Sequence, residues 1–468
     1  MHQTLNKKGS GLALLPFVVF VVVYLGAGLL LQAQGVEMAF YQFPSVTAIF
    51  LATLLAFAMT RGTINERFRV FSKGAANEDV LTMLIIYLLA GAFSTVAAEM
   101  GGRDATVNMG LSLIPVQFLT AGIFVISAFM GTATGTSMGT ISAIVPIAVG
   151  VADKGGLSIA LVLGSCIGGA MFGDNLSMIS DTTIAATRSQ GCEMRDKFSV
   201  NFLIALPAAL VTILVLLVIG RPDMMPEVGD LSYSFIKVVP YLMVLVLALT
   251  GMNVFLVLTI GIFAAGFVGL ATSSMDIFGF AQAVWSGFTS MNEVFFLTLF
   301  CGGMAEMVAH NGGITWLIER LRGMMKSNRS AQLGIAALVS LADCATANNT
   351  VAIVLSGSVA KDMSREYKVD PRRTASLLDV FACVLQGIIP YGAQILTAAA
   401  LTAGYGISIG PTDIIPTLWY CWFLAVFGIL SIFVPFADGV CRKNPWNWEY
   451  DCAESNVAEK KDALAEEK

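Results

Sequence analysis

Charge is what this sequence has least of. Only 13% of its 468 residues are charged, against about a quarter in soluble domains, which excludes an ordinary water-soluble domain. Histidine occurs just twice, as His2 and His310, and the eight cysteines form no CxxC pair. Neither a disulfide framework nor a transition-metal site is indicated. HExxH and Walker signatures are missing too, so an enzyme is not expected, nor is any cofactor. The formal net charge of −5 gives no reason to expect nucleic acid as a partner.

Apolar length is what is there. Runs such as "GLALLPFVVFVVVYLGAGLLL" (11–31) and "FLIALPAALVTILVLLVIG" (202–220) reach the roughly 20 residues a helix needs to cross a bilayer. The first run is long and no A-x-A cleavage site follows it, so it reads as a span, not a signal peptide. Hydrophobic segments fall near 11–31, 44–60, 80–98, 111–130, 137–152, 157–187, 199–220, 234–250, 252–272, 294–310, 331–344, 347–360, 374–400 and 415–436. The expectation is an all-α polytopic membrane protein with about 12–14 transmembrane segments, some broken or re-entrant; 131–152 fits either a full span or a hairpin. Basic loops at 61–79, 188–197, 319–329 and 361–373 alternate with loops poor in Lys and Arg, which places both termini in the cytoplasm. The mixed-charge ending of the chain, "AEKKDALAEEK", reads as a solvated tail.

An internal repeat sharpens the outline. "AGAFSTVAAEMGG" (90–102) aligns with "CGGMAEMVAHNGG" (301–313) at an offset of 211. The same register lays "GTATGTSMGT" (131–140) on "ADCATANNTV" (342–351), and a further shift of six lays "LGSCIGGAMFGDN" (163–175) on "VFACVLQGIIPYG" (380–392). With an odd number of spans in each half, the halves are inverted: 1–220, then 221–440, then a cytoplasmic tail 441–468. Inverted repeats with interrupted helices mark secondary transporters.

Charges inside spans are costly and usually functional; here they are Glu99, Asp174, Asp181, Glu306, His310, Asp343 and Asp379. No Arg or Lys falls within an expected span. The glycine-threonine run offers Thr134, Thr136 and Ser137 at a turn its four glycines would unwind; tight packing of small residues would explain the same spacing. In "FGDNLSMISDTT" (172–183), Asp174, Ser177 and Asp181 share a face on a continuous helix, with Asn175, Thr182 and Thr183 beside them, while Gly173 and the run of side-chain oxygens argue for a break. A carboxyl taken out of water there can hold a proton or a metal cation, and that competition suffices to couple their flows. Asp181→Asn is accordingly expected to abolish exchange. "DCATANNT" (343–350) adds Asp343, Thr346, Asn348, Asn349 and Thr350, hard oxygen ligands suited to Na⁺. Around Pro390 and Gly392 lie Asp379, Gln386 and Gln394, with Asp379 equally able to pair with Arg372 or Arg373. Glu306 and His310, four residues apart, form either a proton relay or a structural pair.

"GTSMGT" (135–140), "FGDNLSMISDTT" and "ATANNTVAI" (345–353) resemble the signature stretches of the NhaC family of sodium/proton antiporters. Asp174, Ser177, Asp181, Thr182 and Thr183 match the first conserved-type stretch, and Asn348 and Asn349 the second. Asn175 and Met178 depart from it, standing where the family often has a basic residue and a proline. The resemblance implies exchange of Na⁺ for H⁺ at the inner membrane, re-entrant hairpins, a scaffold and a moving transport part, and often a homodimer. It also implies an alternative, since members of the family exchange small organic solutes such as malate for lactate.

Overall fold

The computed structural model describes residues 9–34, 42–113, 115–178, 180–222, 231–250, 252–322 and 326–448. The solvated tail at the end of the chain lies outside them. Ten helices make up the first half. They are α1 (Leu15–Ala33), α2 (Ser45–Met59), α3 (Ile64–Ala75), α4 (Glu78–Glu99), α5 (Gly102–Leu113), α6 (Val116–Thr134), α7 (Ser137–Lys154), α8 (Ile159–Leu176), α9 (Asp181–Gln190) and α10 (Met194–Ile219). The second half runs α11 (Phe235–Leu249), α12 (Val254–Ala271), α13 (Ile277–Ser290), α14 (Asn292–His310), α15 (Gly313–Arg322), α16 (Asn328–Thr346), α17 (Asn349–Tyr367), α18 (Pro371–Ile388) and α19 (Ala393–Ala403). Short α20 (Pro411–Ile414), α21 (Trp419–Phe433) and short α22 (Gly439–Lys443) complete it.

Side-chain oxygens set many helix starts by taking the first free backbone N–H groups. Thr63 and Glu66 form a reciprocal capping box on α3. Ser158 caps α8, and Asp370, followed by Pro371, caps α18. Large apolar side chains such as Phe263, Phe267, Leu214 and Val218 point outward, as a lipid-facing surface requires. The chain is therefore an all-α polytopic membrane protein. By length and composition, seven helices are long and apolar enough to cross a membrane, or up to nine with two bent pairs, among the described residues. α8 with α9, and α18 with α19, each run as one long broken span, matching the single segments 157–187 and 374–400 of the sequence. Ser45–Met59 and Phe235–Leu247 are apolar but shorter than 18 residues.

The helices fall into two packed groups. α4 packs on α12 and α13, and α14 on α2 and α3. In the other group α6 packs on α8, α16 on α17 and α18, and α10 on α8, α18 and α21. The α6–α8 contact is close because Gly173 meets the backbone of Gly131 and Thr132, where any Cβ would collide. The small-residue packing considered for the glycine-threonine run is thus present at Gly131.

Two pairs of breaks recur at one spacing. α6 ends in left-handed Gly135 (φ 68°) and α16 in left-handed Ala347 (φ 50°), 212 residues on. α8 is followed by Ser177 and α18 by Ile389, again 212 apart, and the caps Ser180 and Gly392 keep that spacing. The extra shift of six expected between the breaks is not needed.

Candidate functional site

The breaks bring helix ends from both halves around Asp174, the third-last residue of α8. Its Oδ2 accepts a hydrogen bond from the Ser137 hydroxyl at 3.3 Å and one from the Asn349 amide at 3.4 Å. Ser137 and Asn349 are the first residues of α7 and α17, placed by the caps of Thr136 on Gly139 and Asn348 on Val351. They also occupy equivalent positions in the two halves. Gln394 donates to the Ser137 hydroxyl at 3.2 Å, and Gln386 to Gln394 at 2.7 Å. Residues 135–139 spell GxSxG, a hydrolase string, yet the Ser137 hydroxyl is committed to a carboxylate and no histidine meets it among the described residues.

Beside Asp174 lies a buried ion pair that the sequence did not suggest. Lys197 Nζ stands 2.6 Å from Asp379 Oδ2, with both side chains 1% exposed. It donates further to the Asn175 carbonyl at 3.0 Å and the Thr183 hydroxyl at 2.7 Å, so all three ammonium donors are used. Asp379 Oδ2 also accepts from Asn201 at 2.7 Å and Asn175 at 2.9 Å. Lys197 was assigned to the loop 188–197, but α10 begins three residues earlier and carries it inward. The expectation that no basic residue lies in a span is overturned by Lys197, and also by Lys237 within the segment 234–250; Asp379 pairs with neither Arg372 nor Arg373. Arg372 pairs with Asp370 at 2.6 Å; Arg373 donates to Gln332 at 3.1 Å.

The break at Ser177 to Ser180 separates residues expected on one face. Ser180 donates to the Asp174 carbonyl at 3.0 Å and lies 3.0 Å from the hydroxyl of Thr182. Thr183 donates to the Ser177 carbonyl at 2.8 Å. Asp181, first residue of α9, is exposed, because the break turns its side chain out of register with Asp174. Thr134 and Thr136 hydrogen-bond one another across the first break at 3.4 Å. Thr346 bridges the second by donating to the carbonyls of Ala342 and Asn348 at 2.9 and 3.1 Å. Thr350 is half-buried; its backbone N–H is taken by Asn349 at 3.0 Å. Asp343 is fully enclosed on α16, outside the Asp174 cluster. Glu306 on α14 pairs with Lys73 on α3, one turn before His310, in the other helix group. Glu99 is exposed at the end of α4.

The model described as "Na+/H+ antiporter family" matches residues 7–221. A protein of Haemophilus influenzae named an uncharacterized Na(+)/H(+) antiporter is 22% identical over 449 residues, covering 86% of this chain and 93% of that one. The malate-2H(+)/Na(+)-lactate antiporter of Bacillus subtilis is 22% identical, covering 86% and 92%. The Na(+)/H(+) antiporter NhaC of the same organism is 24% identical, covering 77% and 84%. The fold and its relatives define an integral membrane transporter and not an enzyme. Within that class, the relatives it resembles are Na(+)/H(+) antiporters, proteins named NhaC among them.

Proposed function

We propose that this chain exchanges Na⁺ for H⁺ by alternating access, with Asp174 as the carboxylate for which the two cations compete. The observation that carries the reading is the unequal treatment of two neighbouring acids. Asp379 is neutralised by Lys197 at 2.6 Å and held by two amides. Asp174 has only two long hydrogen bonds, from helix starts in opposite halves. Two acids and one ammonium leave one negative charge, which one monovalent cation compensates. Na⁺ arriving at Asp174 displaces weak donors and gains hard oxygens from Ser137 and the opened helix ends; a proton leaves in exchange.

The wider reading follows from the repeat and the helix groups. Residues 1–220 and 221–440 are read as inverted repeats, with the basic loops and both termini on the cytoplasmic side of a bacterial inner membrane. The group containing α6 to α10, α16 to α19 and α21 carries the ion past α2 to α4 and α12 to α14 in an elevator-type movement. Li⁺ competes with Na⁺ at the same oxygens, and two chains pair through the non-moving group.

One observation favours a second reading, exchange of a small organic anion: Lys197 supplies the interior positive charge that a carboxylate substrate wants. Its three donors are already committed within the chain, so the first reading stands ahead. Reconstitution into liposomes holding a pH-sensitive dye separates the two. Na⁺ or Li⁺ added alone should drive proton movement; a strict requirement for an added organic acid or amino acid would overturn the sodium/proton reading.

A further inference from the structure

Asp343 sits apart from the Asp174 cluster and is built differently. Its side chain is fully enclosed, and neither carboxyl oxygen accepts a hydrogen bond. Gln386, equally enclosed, lies on the packed neighbour α18, with its backbone beside that carboxyl. Its amide nitrogen is committed to Gln394 at 2.7 Å, and its amide oxygen accepts nothing. Nearby hydroxyls are already spent on backbone carbonyls: Tyr391 on Cys344 at 2.7 Å, and Thr346 on Ala342 and Asn348. Three enclosed acceptor oxygens remain in one neighbourhood. Leaving an ionised carboxyl bare in such surroundings is among the largest penalties a fold can incur, and a bound positive charge removes it.

The repeat gives this placement a pattern. Gln386 stands in the position of Asp174, and Asp343 in that of Gly131, each 212 residues on by the spacing that relates α6 to α16 and α8 to α18. The acid is thus on the α8-type helix in one half and on the α6-type helix in the other. A small cavity adjoins the Ala347 break. Thr298 and Cys301 on α14, with Thr346, Asn348 and Tyr391, line it, and the enclosed amide nitrogen of Asn348 has no partner there. The titratable groups around Asp343 are Cys344 on its own helix and Tyr391 in the α18–α19 break, among the described residues.

We propose that Asp343 and the Gln386 amide oxygen form a second monovalent-cation position, distinct from Asp174 and reached through the cavity at the α16–α17 break. It takes a proton or an alkali ion. The inference rests on the antiport reading for its role in transport, and on geometry alone for the site.

The test counts cations on the purified full-length protein. Radioactive sodium bound at saturation, and protons displaced by it, are measured for the wild type, Asp343→Asn and Asp174→Asn. Asp343→Asn should keep sodium binding at Asp174 yet lose one cation equivalent. The loss appears as one fewer sodium if the site takes an alkali ion, or one fewer proton if it takes a proton. Both counts equal to wild type would overturn the proposal. If that variant does not fold, Gln386→Met keeps the carboxyl and removes the amide oxygen; the same equivalent should then load with a shifted midpoint, and an unshifted one overturns the site. A wild type that binds no sodium defeats the antiport reading instead, and proton titration of wild type against Asp343→Asn still decides the site by a difference of one proton.

Discussion

The α6–α9 and α16–α19 segments share a skeleton but not a chemistry. Helix limits coincide at a spacing of 212 residues, from Val116–Thr134 against Asn328–Thr346 to Ile159–Leu176 against Pro371–Ile388. At matched positions stand Ser137 and Asn349, Thr136 and Asn348, Asp174 and Gln386. The backbone breaks are symmetric while the acids are not. A symmetric frame can offer helix ends from both sides, and asymmetric side chains then decide which end holds the charge. The first half presents its acid, Asp174, to donors from both halves; the second encloses Asp343 and leaves it without donors.

The strongest way to break this comparison is to make the matched pair identical. Asp174→Asn should abolish sodium-driven proton flux in liposomes, while Gln386→Asn, the same side chain at the matched position, should leave measurable flux. Equal loss in both would mean that the two halves contribute alike and that Asp174 has no special place. Asp181→Asn belongs in the same series. Its exposed position at the start of α9 leads us to expect slower exchange with activity retained, in place of the complete loss that sequence spacing implied.

A smaller effect tests the ion pair that ties the halves together, since Lys197 lies in the first and Asp379 in the second. Removing one partner of a buried pair strands the other, at a cost of about 3–5 kcal/mol. Lys197→Met should therefore lower the thermal unfolding temperature markedly, and Lys197→Met combined with Asp379→Leu should recover most of the loss. A double variant as unstable as the single one would show that the lysine acts through its bonds to Asn175 and Thr183, not through charge.

How much of this was legible in the sequence follows from what each residue type advertises. Glycine, proline and clustered Asp, Asn and Thr interrupt an apolar pattern visibly, so all four breaks could be placed within a few residues. Lys197 could not be placed, because a lysine at the edge of an apolar run looks like the end of a basic loop. The missed signal was Asn201, one helical turn later inside the run 199–220 and fully buried; polar residues four apart share a face, and this one faces Asp379. The face shared by Asp174 and Asp181 failed for the opposite reason. Spacing along a helix predicts a common face only while the helix continues, and here it stops at Ser177.

The smallest effect sharpens the comparison at the paired left-handed residues. Gly135 takes φ 68° without cost, whereas Ala347 holds φ 50° against a Cβ clash worth roughly 1–2 kcal/mol. Gly135→Ala should therefore destabilise the protein by about 1 kcal/mol. Ala347→Gly should stabilise it by less than that, since glycine's greater freedom in the unfolded chain offsets about 0.4–1 kcal/mol of the relief. Both are read from thermal unfolding in detergent, with transport measured in parallel. If Ala347→Gly is more stable but exchanges ions more slowly, the strained residue is part of how the second break moves, as stored strain at functional sites often is. If it destabilises as much as Gly135→Ala, the Ala347 methyl contributes packing that outweighs its strain, and the two breaks differ in what holds them as well as in what they bind.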